Sequence, residues 1–210
     1  MRKNRRFASM RGCPASCRLQ VEVLESRQLL SGSGFTAAPR YLAPVAGGVT
    51  TTALLTTGDV IDRTGVPAQQ YRMTGIPDGL GAARDGAGNV QLFMNHEFVK
   101  ARASSPLVSG SPLTGSYVSR FVLAGSDAEP LSGDLAFTTV VRGTDPTPLN
   151  GAFGRLCSGF LGGPEVGLDR LIYFAGEETS ASGTFDGKGG QAVAIFDGVA
   201  HIMPELSHFE

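Results

Sequence analysis

Ile195-Phe-Asp-Gly-Val-Ala200 sets Asp197-Gly198 between two apolar runs, the pairing a type I′ turn favours because both central residues need positive φ. It predicts a hairpin of strands over 191–196 and 199–203. The same grammar recurs outward from it. Arg84-Asp-Gly-Ala-Gly-Asn89 reads as a tight loop feeding a strand over 90–95, and apolar runs bounded by Gly, Pro, Asp and Asn predict strands over 69–74, 117–124, 135–142 and 170–175. From about residue 41 onward no long helical periodicity is present, so helices are expected to be few and short. The fold class is all-β. Repeated short hairpins suit a propeller or a sandwich, and no exact repeat at propeller-blade length selects between them.

Composition agrees. The 210 residues include 29 glycines and 12 prolines while 41% remain apolar, which fits a loop-rich globular β protein rather than a disordered chain. A formal net charge of −1 provides no global field to draw the chain onto nucleic acid or an anionic membrane. No run approaches the roughly 18 apolar residues of a membrane-spanning helix, so no integral membrane segment is expected.

Residues 1–34 form a separate unit, read as a disordered or targeting leader: Arg2, Lys3, Arg5, Arg6, Arg11 and Arg18 make it basic, and Cys13 and Cys17 lie within it. The apolar core of a standard signal peptide is missing, because Arg11, Pro14 and Arg18 interrupt 7–20. Arg5-Arg6-Phe7 has the paired arginines of a twin-arginine signal without the apolar stretch that must follow. Leu24-Glu-Ser-Arg-Gln-Leu-Leu-Ser31 resembles a motif near the start of many exported planctomycete proteins. An exported, periplasmic or cell-surface location is the expectation, with 35–210 as the folded domain.

Two stretches share a design in which an apolar run ends abruptly in acid: Gln91-Leu-Phe-Met-Asn-His-Glu97 and Leu171-Ile-Tyr-Phe-Ala-Gly-Glu-Glu178. A carboxylate at the tip of a buried strand is costly to desolvate unless a cation or a set of donors meets it. Calcium, which takes roughly six to eight oxygen ligands, is the usual answer. Glu177 and Glu178 would point to opposite faces of an extended strand, so they reach one site only if the chain turns there. Blander readings stay open: a solvated Glu-Glu pair, a strand end with Asn95 as its cap and His96 satisfied in packing, and Cys157 as a small buried hydrophobe. Neither a phosphate-binding P-loop nor a nucleophile elbow is present.

Read in order, Met73-Thr-Gly-Ile-Pro-Asp-Gly-Leu-Gly-Ala82, Leu92-Phe-Met-Asn-His-Glu97, Gly115-Ser-Tyr-Val-Ser-Arg-Phe121, Arg155-Leu-Cys-Ser158 and Tyr173-Phe-Ala-Gly-Glu-Glu178 resemble the PhoX-type alkaline phosphatase family, and Met203-Pro-Glu-Leu-Ser-His-Phe-Glu210 resembles a further segment of it. The resemblance covers about residues 70 to 210. It implies the front part of a six-bladed β-propeller, about half of the domain, whose central cluster of calcium and iron hydrolyses phosphomonoesters. It also implies Glu97, Cys157, Glu177 and Glu178 as metal ligands, with Asn95 and His96 as further candidates. Cys157 would be the thiolate for iron and the glutamates the oxygen donors for calcium. A non-catalytic surface propeller and an inactive truncated piece are the alternatives.

Overall fold

The computed structural model describes residues 35, 36 and 38–208, so the basic leader with its two cysteines and export-like motif lies outside the described residues. Strands β1 (Val60–Asp62) and β2 (Gln70–Arg72) form a small antiparallel sheet. Then come β3 (Pro77–Arg84) and β4 (Val90–His96), a short excursion carrying β5 (Ala103–Ser104) paired with β6 (Leu113–Thr114), and β7 (Tyr117–Leu123) with β8 (Pro130–Leu135). The four long strands make one antiparallel meander in the order β3-β4-β7-β8. A second follows: β9 (Thr139–Arg142), β10 (Leu156–Gly162), β11 (Ile172–Glu177), β12 (Ala192–Phe196) and β13 (Val199–Ile202) build a sheet in the order β10-β11-β12-β13-β9. Only β13–β9 is parallel. Single 3-10 turns over Pro164–Val166, Ala181–Gly183 and Pro204–Leu206 are the helical structure among the described residues.

The two meanders repeat each other in detail. Each is preceded by a segment that runs parallel along its outermost strand, Arg63 beside Gly133 of β8 and β9 beside β13. Each begins with a register shift, between Pro77 and Leu80 in β3 and between Leu156 and Gly159 in β10. Just before each shift stands a non-glycine residue at positive φ, Ile76 at 52° and Arg155 at 41°. The carbonyls of these two residues accept from the amides of Glu97 and Glu178 at 2.9 Å. Asp78 therefore corresponds to Cys157, His96 to Glu177, and Glu97 to Glu178.

The sheets meet along β3 and β10, and small residues make the approach possible. A side chain built at Gly79 would collide with the Cys157 carbonyl and come 2.6 Å from the Gly159 amide, and one at Gly81 would meet the Leu161 amide at 2.9 Å. Asn95 joins the sheets by donating Nδ2 to the carbonyls of Cys157 (3.0 Å) and Ser158 (2.9 Å). The Tyr173 hydroxyl sits between the Gly79 carbonyl (2.8 Å) and Asn95 Oδ1 (3.0 Å). Beneath this polar seam Phe93 stacks on Tyr173 with centroids 5.2 Å apart, within a core that includes Val118, Phe153, Leu156, Val193 and Ile202. The other face of the first meander buries Met94, Phe121 and Leu123 with Tyr71 and Met73. Burial of both faces is why the middle of β4, Leu92-Phe-Met94, is apolar without alternation.

The predicted hairpin is present, with Phe196 paired to Val199 and Asp197 and Gly198 at φ 49° and 78°. Its partner loop also closes as expected, Asp85 Oδ1 accepting from the amides of Ala87 and Asn89 at 2.9 Å. The single strand expected over 135–142 is corrected: it is the end of β8 and the whole of β9. Between them the chain changes sheets, the Ala136 amide bonding the Val118 carbonyl at 2.8 Å and the Thr138 amide the Gly198 carbonyl at 3.0 Å. Both halves are partly buried, so hydropathy runs through the handover without a break.

Candidate metal centre

Each meander opens its first hairpin toward one end, where the start of the first strand pairs with the end of the second: Pro77 with His96, and Leu156 with Glu177. At that end the register shifts turn Asp78 and Cys157 out of the ladder, and Glu97 and Glu178 are the first residues past β4 and β11. One ligand atom from each of Asp78, Glu97 and Cys157 lies within 4.8 Å of the others; Asp78 is exposed, the other two half-buried. Glu178 stands beside them, its Oε1 accepting from the Ser158 amide at 3.3 Å. Sequence reasoning had not singled out Asp78, which it quoted only inside a longer block. Its equivalence to Cys157 in the repeated meander is the signal that finds it.

The electrostatics of the cluster are recorded by the thiol. Burial pushes Cys157 up, and the hydrogen-bonded Glu97 carboxylate followed by the charges of Glu178 and Asp78 raises it further, to about 12. The cation against them is Arg155, whose Nη1 donates to Glu97 Oε1 at 3.0 Å. Three carboxylates facing one guanidinium leave negative charge uncompensated, which a multivalent cation relieves. The donor set, carboxylate oxygens with one thiol, fits a hard cation at the oxygens and a softer one at sulfur. Without a cation Cys157 should be a poor nucleophile. Alkylation at pH 8 followed by peptide mass mapping is expected to modify Cys157 at least about tenfold more slowly in the folded, chelated protein than in urea; equal rates would mean that the carboxylates do not act on the thiol.

The remaining candidates face elsewhere. Asn95 is fully buried and spends its amide on the seam. His96, also fully buried, points to the opposite side of β4. Its Nδ1 lies 3.1 Å from the Gly75 carbonyl, an acceptor, so the proton is on Nδ1 and Nε2 accepts from Ser119 Oγ at 2.7 Å. Ser119 in turn meets the Tyr71 hydroxyl at 2.5 Å, and the ring stacks on Tyr117 at 4.6 Å. Both nitrogens are engaged, so His96 is a packed core histidine and the expectation of it as a ligand is corrected. Glu177 and Glu178 do point to opposite faces. Glu177 is fully buried, and its Oε1 accepts from the Gly154 amide at 2.7 Å, just before Arg155 and Cys157. Its Oε2 is buried with no hydrogen-bond partner among the described residues, and burial raises its pKa despite nearby amides and the Lys100 charge. Glu177 thus braces the turn that presents Cys157.

Burial holds the pKa of His96 down to about 4, below the ordinary 6.5 of an imidazole. As pH falls, the unfolded chain binds this proton first, so stability is fully present above pH 6.5 and declines toward pH 4. The loss approaches about 3 kcal/mol, at roughly 1.36 kcal/mol per unit. Urea midpoints at pH 7 and 5 should therefore differ more for the wild type than for His96→Gln, and equal differences would contradict a buried neutral ring.

Among the described residues no helix is long and apolar enough to cross a membrane. Comparison with protein-family models, curated proteins and solved structures finds no match to the chain.

Proposed function

We propose that the two meanders are consecutive blades of a β-propeller and that the cluster at their common end would hold cations for the hydrolysis of phosphomonoesters. The observation that carries this reading is that equivalent positions of two separate sheets deliver Asp78, Glu97 and Cys157 to one point. Blade architecture is supported by the face-packed antiparallel meanders, by β3 and β10 as neighbouring first strands, and by the segment lying parallel to each outermost strand. The block-by-block resemblance to PhoX-type phosphatases adds the reaction, the pairing of calcium with iron, and an exported or cell-surface setting.

In this reading Asp78, Glu97 and Glu178 would hold calcium through carboxylate oxygens and Cys157 would hold iron through sulfur. When bound, such cations supply Lewis-acid neutralisation of phosphoryl charge. Arg155 is held beside the cluster by Glu97 and is placed to donate to a phosphoryl oxygen. Glu177 fixes the Gly154 turn, and Asn95 with Tyr173 fixes the seam, so the donors are positioned before substrate arrives.

The test is hydrolysis of a chromogenic phosphomonoester by the calcium- and iron-supplemented protein, before and after calcium chelation. Activity abolished by chelation and restored by calcium is expected. Activity indifferent to chelation would reject the mechanism, and a folded protein that binds no metal would favour a non-catalytic binding module.

A further inference from the structure

A cavity of about 610 Å³ opens directly beside the cluster. Its walls are the end of β2 and the link to β3, the segment following β4, the edge of β5, and Arg155. Three arginines line it, Arg72, Arg102 and Arg155, against a single acidic residue, Glu97. Glu97 is already paired with Arg155, and among the described residues neither Arg72 nor Arg102 takes part in an ion pair. Among the described residues the Arg72 side chain makes one long contact, 3.4 Å from Nη1 to the Ser105 carbonyl. In a chain whose net charge is −1, this is a concave concentration of unspent positive charge. Its volume lies within the range of small-molecule sites.

We propose that this cavity is an anion subsite, in which Arg72 and Arg102 grip a second negatively charged group of the ligand whose phosphoryl group lies at the cluster. Guanidinium forks suit such groups because each presents paired N–H donors to two oxygens of a carboxylate or phosphate. Arg155 and Glu97 belong to both compartments, so a ligand bridging them passes the Arg155 guanidinium. The preferred class is then a small organic phosphoester bearing a second phosphate or a carboxylate. Naming the ligand a phosphoester rests on the function proposed above; the anion site itself does not.

Calorimetric titration in the presence of chelator separates the two, since it needs neither metal nor turnover. Inorganic pyrophosphate and citrate serve as probes of the two anion types. At least one is expected to bind the wild type and to bind Arg72→Ala/Arg102→Ala at least tenfold more weakly, the tighter probe identifying the second group as phosphate or carboxylate. Arg102→Ala alone, at an exposed position, keeps the test valid if Arg72→Ala unfolds the chain, and should weaken binding at least threefold. Binding of neither probe, or equal binding by wild type and variants, overturns the subsite. Absence of phosphatase activity in the metal-supplemented wild type, with probe binding intact, would sink the phosphatase reading alone.

Discussion

Gly79→Ala is expected to destabilise the protein by about 3 kcal/mol or more, a large fraction of the total stability of an ordinary domain. The added methyl has no flexible neighbour to displace. It would run into the Cys157 carbonyl, approach the Gly159 amide to 2.6 Å and approach Asn95 Nδ2 to 2.8 Å. Relief requires β3 and β10 to separate, which breaks the Asn95 bonds to the Cys157 and Ser158 carbonyls and lifts Tyr173 from Gly79. Buried donors and acceptors would lose their partners together, each costing about 1–3 kcal/mol. The same substitution at Gly86, where a side chain meets nothing within 4 Å, is the control and should change stability by less than about 1 kcal/mol. Urea denaturation of both variants measures the contrast. A small effect at Gly79 would mean that the sheets are not in contact where Asp78 and Cys157 converge.

The second large effect is expected on adding calcium, the cation proposed for the cluster. Asp78, Glu97 and Glu178 crowd the Cys157 thiol with Arg155 as the facing cation, an arrangement that repels itself in the folded state. A cation that binds the native cluster and not the unfolded chain stabilises by mass action, about 2.7 kcal/mol at a concentration one hundred times its dissociation constant. For a domain of this size that corresponds to a rise in melting temperature of roughly 5–10 °C. Glu97→Gln should lose most of the rise and start from a somewhat higher baseline, because removing one of three like charges relieves the apo cluster. Thermal scans with calcium and with chelator, at fixed ionic strength, distinguish this from salt screening. An equal response in wild type and Glu97→Gln would remove calcium from the account.

Much of the fold was legible in local chemistry. The Asp197-Gly198 turn, the Asp85 loop and the apolar runs of β4, β7, β11, β12 and β13 follow from turn geometry and hydropathy. What escaped were the short β1, β5 and β6, all of β8 but its last residue, and two long strands, β3, Pro-Asp-Gly-Leu-Gly-Ala-Ala-Arg, and β10, Leu-Cys-Ser-Gly-Phe-Leu-Gly. Glycine is a poor strand former, so neither β3 nor β10 reads as a strand. Glycine is there because two backbones approach closely, a requirement set by residues far away in the chain. The repeat was hidden for a similar reason. Asp78 and Cys157 stand 79 positions apart (157 − 78), nearly twice the spacing of blade-length repeats, because excursions such as β5 and β6 lengthen each unit.

The candidate site divides along the same line. Glu97, Cys157 and Glu178 were found as acids or a thiol beside buried strands, and the structure gathers them. Asp78 was invisible until its equivalence to Cys157 appeared. Alternation alone separated Glu177 from Glu178, one turned inward to the Gly154 amide and the other outward toward Ser158. For Asn95 and His96 the residue types suited a metal, but their partners lie across the seam and across β7, at distances in sequence that no local pattern reports.

Elemental analysis of the purified protein, dialysed without chelator, tests the central idea most directly when the wild type is compared with Asp78→Asn/Glu97→Gln/Cys157→Ser. Stoichiometric calcium or iron in the wild type, lost from a variant that keeps its β-sheet circular dichroism, is the predicted result. The same metal content in both folded proteins, or none in either, would contradict a shared cation between the two sheets.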